Sequence, residues 1–300
     1  MDVAQQPVIF GEVLYDVFDD GHAVLGGAPF NVAWHLQGFA LAPLFISRIG
    51  QDALGEKVIS TMQAWGMTDK GLQHDEHHAT GTVQVSIKNG QPAFSILENV
   101  AYDQLEQAPV QQLVQPQSHP FLYHGSLITR TNKARDVLSL LRKQAQLIFV
   151  DINLRAPWWN EAGVFGLIQG ATWLKLNDDE LAILSHCENR LPALEQAANE
   201  LLIKYSLQGV IVTRGKDGAF ICSKAGFKHA KPAVLDSVED TVGAGDAFSA
   251  VCIMGLLLKW DYQAMLDRAA VFAAAICQQR GATSNNPSLY QDFARQWQLA

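Results

Sequence analysis

The residues best suited to chemistry lie in the stretch 240–246, which reads Asp-Thr-Val-Gly-Ala-Gly-Asp and precedes an apolar run that predicts a buried helix. Backbone N–H groups at the start of a helix have no intrahelical partner, and the helix dipole adds partial positive charge there. Gly243, Ala244 and Gly245 are therefore predicted to form an anion hole that suits a phosphoryl group. Asp246, beside that hole, makes chemical sense as a base that takes a proton from a nucleophile attacking phosphorus.

The same stretch has a simpler interpretation, a loop whose aspartate caps an ordinary helix, because Asp is favoured at such positions. Two better-known phosphate motifs are absent from the chain. It contains no Gly-x-x-x-x-Gly-Lys-Ser/Thr sequence, and Gly243-x-Gly245 lacks the third glycine of a dinucleotide-binding turn at Phe248. Neither a P-loop nor a dinucleotide fingerprint therefore accounts for phosphate chemistry here.

The composition is that of a large α/β unit rather than of a nucleic-acid or membrane protein. The chain has 300 residues, of which 48% are hydrophobic, enough for a sizeable core. Its formal net charge of −8 argues against a nucleic acid or an anionic membrane as partner. A phosphate-bearing substrate must then be bound by local N–H groups and a metal ion, not by global charge.

The cysteine pattern and the apolar runs indicate an intracellular protein. The four cysteines are scattered without a Cys-x-x-Cys pair, so neither a disulfide framework nor a zinc site is predicted. They are Cys187, Cys222, Cys252 and Cys277. The N-terminal segment shows no basic stretch followed by an apolar one, and no uncharged run reaches membrane length. The expected location is the cytoplasm.

The elements that must position these residues alternate between strand and helix, with one interruption. Apolar periodicity predicts a strand over 8–10, a helix over 28–38, a strand over 44–47 and a helix over 55–66. Alternating segments at 82–88 and 93–97 flank Asn89-Gly90, a type I′ hairpin signal, and predict an antiparallel ribbon inserted into the α/β chain.

The second half of the chain predicts a parallel sheet covered on both faces. Near-continuous apolar strands are predicted at 122–124, 147–151, 173–176 and 209–213, with helical segments between them. Ligands of such sheets bind beyond the carboxyl ends of the strands. Polar residues or glycines occur at each of those ends, namely within 11–16, 125–126, 151–155, 177–180 and 213–215. The sequence therefore predicts a binding site along this edge.

Three separated motifs together resemble the ribokinase-like (phosphofructokinase B) family of sugar kinases. They are Leu-Gly-Gly-Ala-Pro-Phe-Asn-Val-Ala at 25–33, Asp-x-Asn-x-Arg-x-x-Trp-Trp at 151–159 and the stretch 240–246, and the first two look most like the fructokinase branch. The resemblance covers nearly the whole chain. It implies one domain over 1–300, a three-layer α/β/α core with a mainly parallel sheet, and a small β-sheet lid formed by about 12–25 and 80–98.

The resemblance implies a sugar site built from Asp16, Gly26, Gly27, Asn31 and Arg155. A glycine pair permits close approach of the backbone to a polyol, since glycine has no Cβ. The Asp16 carboxylate and the Asn31 amide could hydrogen-bond neighbouring sugar hydroxyls. The planar guanidinium of Arg155 could bind the carbohydrate or a phosphate oxygen. Taken singly, the residues have simpler interpretations. The glycine pair could be a turn, Asn31 a surface helix residue, and Arg155 one half of a surface ion pair.

The nucleotide side is implied by two further motifs. Asn177 and Glu180 match the family's Asn-x-x-Glu motif, whose implied role is support of Mg²⁺ through water and of the ATP phosphates. Thr213, Gly215 and Gly218 match its Thr-x-Gly-x-x-Gly turn, which would lie along the nucleotide. The simpler interpretation of the first motif is a helix N-terminus with acidic residues that favour the helix dipole, and that of the second is a plain β-turn.

Four smaller expectations accompany these sites. Backbone carbonyls near Asp240 and Val242, with the loop 280–284, could bind a monovalent cation such as K⁺, as in some members of the family. His124 is expected to be a core imidazole rather than a substrate ligand, and Trp158-Trp159 to pack beneath the lid. The alanine-rich run 264–277 predicts a core helix, and the resemblance implies that it borders the adenine.

The function implied is ATP-dependent transfer of the γ-phosphoryl group to the primary hydroxyl of a sugar, D-fructose giving fructose 6-phosphate. Two alternatives stay open, a kinase of another sugar, a sugar acid or a nucleoside in the same family, and a non-catalytic sugar-binding regulator. Asp246 speaks against the regulator, because a binding module needs no base. An exposed ribbon has an edge that needs protection, so a homodimer through the lid is expected.

Overall fold

The structure is a computed structural model that describes residues 6–88, 91–114, 119–232 and 238–299. Within those residues, nine strands form one sheet in the order β13-β12-β11-β10-β9-β8-β1-β4-β5, parallel from β11 to β5 and antiparallel at β12 and β13. Its strands are β1 (Val8–Phe10), β4 (Leu44–Gly50), β5 (Leu72–Asp75), β8 (His119–Gly125), β9 (Ala145–Asp151), β10 (Trp173–Asn177), β11 (Gly209–Thr213), β12 (Ala219–Ser223) and β13 (Gly226–Ala230).

Helices cover both faces of this sheet. They are α1 (Ala28–Gly38), α2 (Ala53–Ala64), α3 (Gln107–Val114), α4 (Asn132–Gln144), α5 (Glu161–Ile168), α6 (Asp178–Ser185), α7 (Leu191–Lys204), α8 (Ala244–Leu257), α9 (Tyr262–Cys277) and α10 (Pro287–Gln296). Side chains alternate between faces along each strand. Ile9 therefore packs with α1, α2 and α8–α10, whereas Phe10 packs with α3 and α4 on the opposite face. The predicted three-layer α/β/α core is confirmed.

A small separate sheet stands apart from the core. Its strand order is β3-β2-β6-β7, with β2 (Leu14–Phe18), β3 (Ala23–Gly26), β6 (Gly81–Lys88) and β7 (Gln91–Ile96). Two antiparallel hairpins, β2–β3 and β6–β7, meet through the parallel pairing of β2 with β6. The Asn89-Gly90 turn proposed for the second hairpin lies outside the described residues. The small sheet is thus built from two distant parts of the chain, as the predicted fold class requires.

Two local details differ from the sequence-based expectations. The second helix begins at Ala53 rather than at residue 55, because Asp52 caps it and accepts a 2.8 Å hydrogen bond from the Gly55 N–H. The antiparallel strands β12 and β13 at the sheet edge were not predicted. β13 is mostly exposed and carries no hydrophobic pattern, whereas β12 (Ala-Phe-Ile-Cys-Ser) is a buried apolar run that the sequence analysis did not assign.

The structure also places the cysteines and His124. The four cysteines are free thiols, three of them buried. His124 is fully buried, and burial lowers its pKa to about 3, as expected of a core imidazole. In the part of the chain that the structure describes, no helix combines the length and apolarity needed to cross a membrane.

Candidate active site

The polar strand ends converge where the strand order reverses. The chain leaves β1 toward β4 on one side and later returns to place β8 on the other, so β1 and β8 flank a topological switch point. Crevices at such points, beyond the carboxyl ends of the strands, are where open α/β sheets bind ligands. The N-termini of α1 and α8 both reach this edge, because each helix carries a residue of the cluster described next.

The first turn of α8 has a geometry that only glycine permits at its start. Gly243 is the N-cap residue, with φ +79°. A Cβ there would lie 2.4 Å from the Cβ of Ala282, so a larger residue meets both backbone strain and a clash. The first helical hydrogen bond runs from the Ala247 N–H to the Gly243 carbonyl at 2.9 Å. Of the preceding N–H groups, that of Ala244 donates to the Thr241 carbonyl at 3.3 Å. The N–H groups of Gly245 and Asp246 also precede the first helical bond and can bind an anion.

Asp246 and Asn31, far apart in sequence, meet at this turn. The Asp246 Oδ2 accepts a 2.8 Å hydrogen bond from the Asn31 Nδ2. Burial raises the pKa of Asp246 to about 7, while the bond from Asn31 and the charge of Lys175 act in the opposite direction. A carboxyl with a pKa near neutrality can accept and release a proton at physiological pH.

Glu12, directly after β1, is a second carboxyl of this cluster that sequence reasoning passed over. It is 3% exposed, and burial raises its pKa to about 7, with the Asp246 charge acting in the same direction. The available signal was its position at the end of the first strand, where the sequence already predicted a site.

The other sugar-site candidates surround these carboxyls. A Cβ on Gly26 would lie 3.6 Å from the Asp16 Oδ2, so this carboxylate faces the glycine pair. Gly27 has φ +108°, and a Cβ there would lie 2.6 Å from the Glu12 carbonyl oxygen. Burial raises the pKa of Asp16, and the charge of Arg155 opposes the rise. Arg155 is exposed, and its charge also lowers the pKa of Glu12 and of Asp246. One cation therefore partly balances the charge of all three carboxyls.

Asn177 and Glu180 form a reciprocal cap at the start of α6. The Asn177 Oδ1 accepts from the Glu180 N–H at 2.8 Å, and the Glu180 Oε2 accepts from the Asn177 N–H at 2.9 Å. The Glu180 Oε1 accepts from the Leu154 N–H at 2.9 Å. Burial raises the pKa of this carboxyl, and the backbone N–H groups oppose the rise. The simpler interpretation from sequence, a helix cap, is therefore present whatever else the pair does.

The remaining nucleotide-side candidates lie beside this cap. Thr213 ends β11 and pairs with Asn177 across the parallel ladder. A tight turn follows, in which the Arg214 N–H donates to the Gly218 carbonyl at 2.8 Å and the Gly218 N–H donates to the Gly215 carbonyl at 3.2 Å. Gly215 faces open space, since a Cβ there would meet no atom within 4 Å. The turn thus leaves room for a ligand along β11.

Asp240 joins two loops near the start of α8. Its Oδ1 accepts from the Val242 N–H at 3.0 Å, and its Oδ2 accepts from the Gly281 N–H at 3.1 Å. The carboxylate is thus committed to backbone donors, and a cation here would need backbone carbonyls. Among the described residues, no three His, Cys, Asp or Glu side chains cluster as metal ligands.

The structure also places Trp158 and the alanine-rich run 264–277. Trp158 is half-buried, and the guanidinium of Arg130 lies 4.7 Å from its ring centroid. The run 264–277 lies within α9, which packs on α8 and on the antiparallel strands β12 and β13. The 238–240 segment runs beside the end of α9, because the Glu239 N–H donates to the Cys277 carbonyl at 2.9 Å. Val271 is an exposed apolar residue of this helix.

A glycine-opened helix N-terminus, an adjacent carboxyl and a cluster of polar groups meet at the edge of an α/β/α sheet, as a phosphotransferase acting on sugars would require. The comparison with protein families agrees, since the pfkB family carbohydrate kinase model matches residues 10–289. The chain belongs to the pfkB family of carbohydrate kinases.

Individual relatives are distant and have different substrates. Fructokinase-2 of Oryza sativa subsp. japonica is 28% identical over 263 residues, which cover 80% of this chain and 76% of the relative. The Xylella fastidiosa fructokinase with bound ATP superposes with a TM-score of 0.84 at 20% identity, covering 99% of this chain and 100% of the other. The 2-dehydro-3-deoxygluconokinase of Thermotoga maritima superposes with a TM-score of 0.83 at 16% identity, covering 97% of this chain and 99% of the other. These likenesses establish the fold, not the sugar.

Proposed function

We propose that this sugar kinase uses ATP to phosphorylate the primary 6-hydroxyl of D-fructose, giving fructose 6-phosphate and ADP. The observation that carries the proposal is the Asp246 carboxyl, which Asn31 holds at the N-terminus of α8. Fructose is favoured over other acceptors by the similarity to the rice fructokinase and by the fructokinase-like motifs at 25–33 and 151–159. The ATP-bound neighbour supports the choice of donor.

In the proposed reaction Asp246 is the general base. The sugar oxygen forms a bond to the γ-phosphorus as the bond to the β,γ-bridging oxygen of ATP breaks, and the hydroxyl proton passes to Asp246. The N–H groups of Gly243, Ala244 and Gly245 hold the transferring phosphoryl oxygens. Because the transition state is loose, proton removal comes late, and positioning of the two oxygens matters most.

The sugar is proposed to lie between the glycine pair and the carboxyls. Gly26 and Gly27 let the backbone approach the ring closely, while Asp16 and Asn31 hydrogen-bond its hydroxyls. Arg155 supplies the cation that balances this acidic pocket and orients the acceptor. The small sheet covers the pocket as a lid and excludes water from the phosphoryl group.

The nucleotide is proposed to lie along Thr213, Gly215 and Gly218, with the exposed side of α9 near its base. Mg²⁺, when bound with the nucleotide, neutralises charge that develops on the phosphoryl oxygens. Glu180 fits the support of that ion through water, because each of its oxygens accepts one backbone N–H and keeps a lone pair. Carbonyls of Asp240 and Val242 are the proposed K⁺ ligands, since the Asp240 carboxylate itself binds backbone donors.

A homodimer through the small sheet is proposed from its exposed apolar side chains. β7 is an edge strand, and Phe94 on it is 62% exposed. Phe18 on β2 and Leu97, directly after β7, are also exposed. An exposed apolar edge invites pairing with a second copy. Phe94→Asp should give a monomer in light scattering coupled to gel filtration. Ile203→Asp, which changes another exposed apolar residue on α7, should leave the mass unchanged; equal masses for both variants would refute the interface.

Coupled ADP release with a panel of acceptors tests the proposed activity. The panel holds D-fructose, other hexoses and pentoses, 2-keto-3-deoxy sugar acids and nucleosides, each with ATP and Mg²⁺ and with Asp246→Asn as the blank. ADP release with D-fructose at the highest kcat/KM supports the proposal. A higher kcat/KM with a sugar acid or nucleoside refutes fructose as the acceptor, and tight sugar binding without ADP release refutes the kinase in favour of a regulator.

A further inference from the structure

A buried group of side chains behind the first turn of α8 takes no part in the proposed reaction. Asp151, at the end of β9, is its centre and is 3% exposed. Its Oδ1 and Oδ2 accept from the Lys175 Nζ at 2.9 and 3.1 Å. Its Oδ2 also accepts from the Ser249 Oγ at 2.6 Å and from the Tyr123 hydroxyl at 3.1 Å. We call these four residues the rear network.

The rear network ends on one carbonyl of the proposed anion hole. The Lys175 Nζ donates to the Gly245 oxygen at 3.3 Å. The Ser249 Oγ lies 2.9 Å from the same oxygen, and its single hydrogen is shared between this oxygen and Asp151. Lys175 lies on β10 and Gly245 is 70 residues later, so this contact fastens the helix start to the sheet. A Cβ on Gly245 would lie 3.4 Å from the Lys175 Nζ, which shows how closely the lysine approaches the turn.

The Gly245 carbonyl fixes more than its own position. In a planar trans peptide, the C=O of one residue and the N–H of the next point in opposite directions. Holding the Gly245 oxygen from behind therefore aims the Asp246 N–H forward, out of the helix start and toward the anion hole. It also sets the direction from which the Asp246 side chain leaves the backbone.

The rear network also acts on Asp246 through its charges. Lys175 lowers the pKa of the Asp246 carboxyl, and Asp151 raises it by a smaller effect. The groups that face this carboxyl are Asn31 from α1, Glu12 after β1, Asp151 from β9, Lys175 from β10 and Arg155 after β9. Lys175 is the buried cation among them, at 6% exposure, so little solvent screens its field.

We propose that Lys175, anchored by Asp151, is a positioning residue that holds the Gly245 peptide so that the anion hole and the Asp246 carboxylate face the acceptor in one geometry. The inference rests on the proposed function of Asp246. Lys175 itself is too buried to contact a sugar. Its effect is therefore on turnover, through the alignment of groups that do contact the reacting atoms.

Four variants test the role of Lys175, namely Lys175→Met, Asp151→Asn, the double variant and Ser249→Ala. Each is assayed for kcat, for KM of ATP and sugar, for the pH dependence of kcat/KM and for thermal unfolding. Lys175→Met should lower kcat on the order of 10- to 100-fold with little change in KM, because misalignment acts on the chemical step. In Lys175→Met, the rise of kcat/KM on the acid side of the pH profile, the acid limb, should move to higher pH, because the lysine no longer lowers the pKa of Asp246. In Asp151→Asn the same rise should move to lower pH, because Asp151 no longer raises that pKa.

The double variant separates positioning from simple stability. Lys175→Met leaves a buried carboxylate without its partner and is expected to unfold at a lower temperature, whereas the double variant removes both charges and should regain that temperature. If Lys175 positions the turn, turnover stays low in the double variant. Ser249→Ala keeps both charges and should lower kcat about several-fold without moving the acid limb.

The outcomes distinguish this inference from the proposed function. Recovery of full turnover together with stability in the double variant would overturn the positioning role. An unchanged kcat and acid limb in a folded Lys175→Met protein would overturn it as well, while leaving Asp246 as base. Wild-type turnover in Asp246→Asn would instead remove the proposed function itself.

Discussion

The regions in front of and behind the first turn of α8 use the same residue type in opposite ways. Behind the turn, Asp151 accepts hydrogen bonds from a lysine, a serine and a tyrosine, and its charge is paired. In front of it, Asp246 has the Asn31 amide as its hydrogen-bond donor and lies near the like charge of Glu12. Two carboxyls on either side of one turn thus differ in how fully their charges are compensated.

This difference separates architecture from chemistry. A buried carboxylate that is paired and hydrogen-bonded has its charge compensated by its neighbours and serves the architecture. A carboxyl that is desolvated without such compensation has a pKa near the working pH, as Asp246 and Glu12 do at about 7. The front region therefore holds the groups that can exchange protons, and the rear network holds the turn in place.

The largest expected effect comes from removing the front charge. Asp246→Asn should fold with unchanged stability or better, because it replaces a desolvated acid with a neutral isostere, while kcat falls on the order of 10²–10⁴-fold. The check is ADP release by the purified variant with its unfolding temperature measured in parallel. Asp151→Asn is the matched rear variant and should lose stability more than turnover; the opposite ranking of the two would contradict the comparison.

The next effect comes from the turn that both regions share. Gly243→Ala places a side chain at φ +79° and within 2.4 Å of Ala282, so it should reduce the free energy of unfolding by about 2–4 kcal/mol. Urea denaturation measures the change. Gly166→Ala in α5 is the control, because a Cβ there meets nothing within 4 Å, and it should be neutral or stabilising. A Gly243→Ala protein as stable as the control would refute the strained turn.

A smaller effect concerns Glu12 and pH. Its pKa rises from 4.5 to about 7 on folding, so its contribution to stability is present below pH 4.5 and is lost as pH rises through 7. The 2.5-unit difference corresponds to at most about 3 kcal/mol. Glu12→Gln should therefore be more stable than wild type at pH 8 and similar at pH 4.5, as urea unfolding would reveal. The same pH dependence in both proteins would contradict the buried front carboxyl.

The sequence predicted what depends on local pattern. The apolar strands 147–151 and 209–213 agree with β9 and β11, and the glycine-rich turn before residue 247 begins α8 as expected. Asn31 and Asp246 were both chosen as site residues, and the fold places them 2.8 Å apart. Such residues are recognisable because a turn, a strand end or a helix start needs particular types at neighbouring positions.

Features that depend on distant contacts were not predictable in the same way. Lys175 lies two residues before the Asn-x-x-Glu motif, and no local pattern links it to Gly245, which it contacts 70 residues away. Glu12 gains its character from burial beside Asp246, which no local pattern encodes. The parallel pairing of β2 with β6 likewise joins two hairpins that are far apart in the chain. Only the packed fold decides which strand ends face each other.

The central claim is that Asp246 takes the proton of the acceptor hydroxyl. The direct test is the pH dependence of kcat/KM for wild type and Asp246→Asn, with the best acceptor of the panel. The account predicts that the wild-type value rises with a midpoint near 7, where Asp246 ionises, and that the residual rate of the variant lacks this rise. Parallel profiles, with the same midpoint in both proteins, would contradict it.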